Sequence, residues 1–270
     1  MGLFSRLKML LGALYHRTYS WPALDVTLPG GRYLHLVGSI HMGTRDMSPL
    51  PEGLLRKLKQ ADALIVEADV SVSGSPFSEL PPRPPLAERL DPAQLADLSR
   101  VLNELSLPLE TFDQQPAWKI ALVLQATQAQ RLGLRPDYGI DYQMLQAAHD
   151  RQMRVIELEG TADQVNLLCQ LPEDGKALLL DTLTHWHTNA RLLQVMLSWW
   201  LNSPPAEASS HSLPSTFSQP LYDVLMHQRN QAWCKRLLAL PPGHYVVAAG
   251  ALHLYGEGNL PTLLRQKISA

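Results

Sequence analysis

The chain has 270 residues, 46% of them apolar and 18% charged, with a formal net charge of −2 and a pI near 6.5. That balance fits a globular chain able to bury an ordinary core; it excludes a disordered one, and without a basic excess it argues against a nucleic-acid partner. No apolar stretch approaches the roughly 20 residues needed to span a bilayer. Cys169 and Cys234 form no Cys-x-x-Cys or Cys/His cluster, so reduced thiols and a cytoplasmic setting are expected.

Residues 1–20 read as an N-terminal basic amphipathic helix, with Arg6, Lys8 and Arg17 around a short apolar run. The run is too short for a secretory signal, and no small-x-small cleavage site follows it. Such a helix packs on the domain or touches a membrane surface through residues 3–17. Residues 21–270 read as a single domain. Residues 23–28 and 32–37 flank Pro29-Gly30-Gly31 and predict a hairpin. Helical periodicity over 52–60 precedes an apolar run, 63–67, that reads as a buried strand ending in Glu67 and lying parallel to the one before it.

A Pro- and Ser-rich stretch, 71–85, reads as a surface loop and a candidate lid. Helical insertions follow around 86–135 and 160–240. Asp91-Pro92 starts one helix, Gln115-Pro116 precedes a longer one through Arg131, and a turn from Arg135 to Asp141 enters a third. Residues 153–159 read as a strand with acids at its end. Helices dominate 161–201, a second Pro/Ser-rich linker covers 202–215, and a long helix over 217–240 leads into the last strand; a final helix begins near Gly258. The alternation predicts an α/β fold: a central mixed, largely parallel sheet flanked by helices, with a helical cap region.

One short phrase closes two of these strands: an apolar run, Gly, two small or apolar residues, then His. It reads Gly38-Ser39-Ile40-His41 after the second strand and Gly250-Ala251-Leu252-His253 after the last. Open α/β sheets keep their sites at the carboxyl ends of strands, so both histidines are expected in one cleft. Glu67 and Glu159 close two other apolar runs along the same edge. Each residue alone reads as a turn cap or solvated loop residue. The repeated phrase together with the two acids is what points to a site.

Neutral imidazoles and carboxylates suit Mn, Fe, Co or Zn, and a bound divalent ion activates water and polarises a carbonyl. The competing reading has both histidines capping turns. Arg229 lies just before the last strand, where a guanidinium would hold a carboxylate or an oxyanion. Other hydrolytic motifs are missing: there is no Gly-x-Ser-x-Gly, no His-Glu-x-x-His and no phosphate loop. In His185-Trp186-His187 the imidazoles would point apart on a helix, so the segment reads as a partly buried aromatic surface, and Trp199-Trp200 reads as packing.

Gly38-Ser39-Ile40-His41, Glu67, Glu159, Arg229-Asn230 and Gly250-Ala251-Leu252-His253, in this order and spacing from about Trp21 onward, resemble the TraB/GumN family, which includes the Tiki-type proteases. The closer likeness is to a bacterial cytosolic branch. The resemblance implies a fold shared with erythromycin-esterase-like and haem-binding relatives, with both phrases facing one cleft. It implies metal-dependent hydrolysis of a peptide or a small amide or ester. On that reading His41, Glu67 and His253 hold a divalent metal (Mn, Co or Zn), Glu159 and Arg229 are catalytic, and Asn230 and Asp141 bind the substrate. Two alternatives stay open: a non-catalytic binder of haem or peptide in the same cleft, and a scaffold without activity.

Overall fold

A computed structural model describes residues 19–69, 80–205, 213–256 and 258–269. The sheet begins as a hairpin in which β1 (Ala23–Leu28) and β2 (Arg32–Ser39) pair antiparallel. The turn uses Gly30 and Gly31 at φ of 78° and 75°, a region that residues with a Cβ avoid. β3 (Ala63–Val66), β4 (Val155–Glu157) and β5 (Gly243–Gly250) all run parallel to β2. The spatial order is β1-β2-β5-β3-β4, so the last strand in the chain occupies the centre. Its run Tyr245-Val-Val-Ala-Ala249 is buried throughout, as an inner parallel strand covered on both faces must be.

Nine helices of eight or more residues are described: α1 (Glu52–Gln60), α2 (Pro92–Glu104), α3 (Ala117–Arg131), α4 (Ile140–His149), α5 (Thr161–Cys169), α6 (Lys176–Thr184), α7 (Trp186–Leu201), α8 (Gln228–Leu238) and α9 (Leu260–Ser269). The α2 start is fixed by Asp91 and Gln94, each accepting the other's backbone N–H at 2.9 and 3.1 Å, with Pro92 in the first turn.

Two cores sandwich the sheet. On one face Leu54 and Leu58 of α1 meet Met144 and Leu145 of α4. On the other, Trp233 and Leu237 of α8 and Leu264 of α9 pack on Leu36 and Val247. Burying one such aliphatic side chain contributes roughly 1.5–3 kcal/mol. A third core, separate from the sheet, joins α2, α3 and α6 through Leu98, Trp118, Leu124 and Leu179, and makes the helical cap.

Three details differ from the sequence expectations. The strand over 153–159 is confined to Val155–Glu157, so Glu159 lies past the sheet edge. The long helix over 217–240 is broken: a short turn, Gln219–Tyr222, passes into a π-helical turn, Asp223–His227, before α8. His185-Trp186-His187 is the junction of α6 and α7, with Trp186 buried and its indole donating to Glu104 at 3.1 Å. Trp199 and Trp200 are buried, the latter donating to the Gly38 carbonyl at 3.0 Å. Residues 1–18 of the expected N-terminal helix, with its expected membrane contact, and residues 71–79 of the candidate lid lie outside the described residues, and Tyr19 and Ser20 are not helical. Among the described residues no helix is long and apolar enough to cross a membrane.

Candidate functional site

β2 and β5 are neighbours with Ser39 opposite Gly250, so the two Gly-x-x-His phrases leave the sheet side by side. β3 flanks β5 and ends at Val66, which brings Glu67 out beside them. Past β4, the backbone N–H of Glu159 donates to the Glu67 carbonyl at 2.9 Å, setting the two acids together. His41, Glu67, Arg229 and His253 line one cavity of about 510 Å³ between the sheet edge and the helical cap.

Arg229 is the hub of its buried end. Nε and Nη2 form a bidentate pair with Glu159 at 2.6 and 3.1 Å, Nη2 also reaches Glu67 at 2.7 Å, and Nη1 donates to the Leu225 carbonyl and to His253 Nε2, both at 3.2 Å. A guanidinium has five N–H donors, and these contacts use them all. The π-helical turn lies immediately before Arg229, placing the Leu225 carbonyl within reach of its own helix's side chain; such turns recur at functional sites. Burial works against the charge of Arg229, but Glu67 and Glu159 hold it more firmly protonated than usual.

Glu67 is equally occupied. Its Oε1 accepts the Gly250 N–H at 2.7 Å, while Oε2 faces Arg229 and, at 3.5 Å, the amide of Gln164. Burial opposes its ionisation, yet the charges of His253, Arg229 and His41, with the Gly250 bond, carry its pKa down to about 2. His253 is 4% exposed and packs, tilted by 46°, against Trp233 with ring centroids 4.4 Å apart. Asn230 donates to the Gly258 carbonyl, which leaves its oxygen to accept the Nδ1–H of His253 at 2.7 Å. The free lone pair is then on Nε2, where Arg229 donates. Burial first, and then the charges of Arg229 and His41, bring His253 down to about 4, so it is neutral at neutral pH.

His41 is different. Its side chain is 71% exposed, and its Nδ1 is paired with Asp141 Oδ2. Two glycines make the pairing: a Cβ on Gly43 would lie 2.2 Å from the Tyr138 carbonyl oxygen, and one on Gly139 would lie 2.3 Å from that of His41. Only bare backbones pass so closely. Bonds from Gly43 to Arg135, at 3.0 Å, and from Ile140 to Ile40, at 2.9 Å, clamp the contact and seat Asp141, in the first turn of α4, under the imidazole. The Asp141 charge, and then its hydrogen bond, raise His41 to about 9. The other carboxylate oxygen, Oδ1, is buried without a partner, so the imidazole is its counter-charge.

The ligand trio expected for Mn, Co or Zn, namely His41, Glu67 and His253, is thus spoken for as arranged. Among the described residues no group of three or more His, Cys, Asp or Glu side chains could hold a metal ion. The Arg229 cation touches Glu67, Glu159 and His253 at once, the place a divalent ion would take. This donor set does not fit one unless Arg229 withdraws, and the chemistry below is derived without it. Glu159, expected to be catalytic, has both oxygens on Arg229, and Asn230, expected to bind substrate, accepts from His253 Nδ1.

The cavity walls were not singled out from the sequence. α3 contributes Leu122, Gln125, Ala126 and Ala129, and α7 contributes Asn189, Leu192, Leu193 and Met196. Both sets follow the i, i+3, i+4, i+7 spacing of one helical face. The signal was present, but each helix carries a second apolar face, buried in the cap for α3 and against the sheet cores for α7, and periodicity alone does not say which faces a cavity.

Over residues 24–268 the chain matches the TraB/PrgY/gumN family. Relatives from Escherichia coli (strain K12) and Shigella flexneri, both named uncharacterized protein YbaP, are each 62% identical over 265 residues, spanning 98% of this chain and 100% of the relative. No solved structure matches it. The paired Gly-x-x-His edge and the acid–Arg229 floor therefore sit within a match covering the whole sheet, and the chain belongs to the TraB/PrgY/gumN family.

Proposed function

We propose that the cleft hydrolyses a peptide, small amide or ester bond, and that His41, oriented by Asp141, is its proton-transfer group. The observation that carries this reading is which polar atoms are spoken for. Arg229, Glu67, Glu159 and His253 are bonded to one another, whereas His41 is paired through Nδ1 and turns the rest of its ring to the cavity. In the reaction, Nε2 of neutral His41 takes a proton from water as the water oxygen attacks the carbonyl carbon. Asp141 holds the ring and stabilises the imidazolium, and the proton then passes to the departing nitrogen or oxygen.

The base form of His41 is the active one, so kcat/KM rises with pH to an inflection near 9. A panel of chromogenic esters and anilides tests the reading. His41→Gln lowers kcat/KM by about 10²–10⁴-fold with the fold retained by circular dichroism, and the wild-type rate survives chelation. Activity that returns only with Mn, Co or Zn would replace the dyad with the metal-dependent mechanism, Arg229 having moved aside. Ligand capture without turnover would favour the binding alternative, which the apolar walls also suit. A cytoplasmic setting belongs to the same reading, because Cys169 and Cys234 are free thiols.

A further inference from the structure

We infer that the hydroxyl of Ser39 donates to the carbonyl oxygen of the compound attacked in this cleft and stabilises the charge that develops there. The inference rests on the hydrolytic reading, to which it adds the group that holds the oxyanion.

Attack by water turns the carbonyl oxygen anionic, and the site must hold that charge. Arg229 is the obvious cation, but its five N–H donors are consumed. The reacting end of the cavity is the sheet edge, formed by residues 39–42, 67 and 250–253. Of these side chains, Glu67 and His253 are tied to Arg229 and Asn230, and His41 is the base. The remaining donor is the Ser39 hydroxyl. Ser39 is 3% exposed, and its hydroxyl makes no hydrogen bond among the described residues. Nor is its oxygen one of the atoms enclosed without a partner, so the space it opens on is the cavity it lines. A buried hydroxyl left unpaired works against folding, and a carbonyl oxygen held there pairs it. The Cα atoms of Ser39 and His41, two residues apart, stand at most about 7 Å from each other, so the hydroxyl and a water on His41 both reach one carbonyl. Further uncommitted donors, such as Asn189 and Thr216, come from the cap side and not from the sheet edge. The second phrase has Ala251 where the first has Ser39, and its histidine is the one that braces the site. The hydroxyl goes with the copy that meets the substrate.

In the full-length protein, Ser39→Ala should lower kcat on the chromogenic esters about 10²–10³-fold and change KM less than about threefold. Its melting temperature should be unchanged or higher, because no hydrogen bond is lost. Acetophenone reports the same contact without turnover, since a ketone offers the carbonyl but no leaving group. Its infrared C=O stretch should lie at lower frequency when bound to the wild type than when bound to Ser39→Ala. A kcat of Ser39→Ala within about threefold of the wild type, or one carbonyl frequency in both proteins, would overturn the inference. So would labelling of Ser39 by a fluorophosphonate that is lost in His41→Gln, which would make the hydroxyl a nucleophile. A shifted carbonyl with no hydrolysis of any ester would keep the donor and defeat the hydrolytic reading alone; hydrolysis indifferent to Ser39 would defeat the donor alone. Neither hydrolysis nor acetophenone binding would defeat both.

Discussion

The two Gly-x-x-His phrases have the same spacing and opposite fates. Gly38 pairs with Ala249 and Ser39 with Gly250, so the copies are out of step by one residue. Successive strand residues face opposite sides, and equivalent positions of the two phrases therefore leave the sheet facing opposite ways. The first continues as irregular chain, clamped by Gly43 and Gly139, and presents His41 to the cavity. The second coils at once into a short turn, Ala251–Leu254, and buries His253 between Trp233, Asn230 and Arg229. A motif thus fixes where a histidine stands along a strand edge; the register and the next few residues decide whether it meets a substrate or braces the site.

That contrast predicts that the buried half matters mainly for stability and the exposed half mainly for rate. The largest effect should come from Arg229→Met, which leaves Glu67 and Glu159 adjacent and uncompensated and should destabilise the fold by about 3–5 kcal/mol in urea denaturation. A neutral result would break the contrast at its centre. Acid comes next. His253 titrates near 4 when folded and near 6.5 when unfolded, so the unfolded chain binds the proton first. The part due to His253 is complete above about pH 6.5 and is lost as pH drops towards 4, by no more than roughly 3 kcal/mol. His35, also buried and lowered, acts in the same direction, so the part that disappears in His253→Ala is the part due to His253.

His253→Ala itself should cost about 2–3 kcal/mol at pH 7, from the cavity beside Trp233 and the orphaned Asn230. Gly139→Ala drives a Cβ against the His41 carbonyl and should separate His41 from Asp141; kcat/KM falls roughly tenfold or more, and the pH inflection moves from about 9 towards the ordinary histidine value. His41→Ala should be the mildest for stability, because the ring is largely exposed; it removes the counter-charge of Asp141, so a cost of about 1 kcal/mol at pH 7 should fade as pH rises through about 9. A large loss of stability there would mean that the exposed copy is structural too.

Much of this was legible in the residues. All five strands stand where apolar runs and turn signals put them, and the edge residues His41, Glu67 and His253 follow from the runs they close. What was not legible is set by contacts distant in sequence. The His41–Asp141 pair joins two turns 100 residues apart; nothing local in either turn names the other. Arg229 reads as a substrate anchor until Glu67, Glu159, Leu225 and His253 are seen to consume its donors. The π-helical turn before it has no periodicity of its own, and a regular helix is the natural reading of 217–240.

The place of β5 has one more consequence, for the order of assembly. It is the last strand in the chain, yet it joins β2 to β3. Until residues 243–250 are synthesised, the growing chain can hold only a β1-β2 hairpin and a β3-β4 pair, each with an open edge and neither able to close a core. The sheet forms in one late, long-range step, so ribosome-bound chains ending before Gly243 should engage holdase chaperones and aggregate readily, whereas chains released past Gly250 should resist protease.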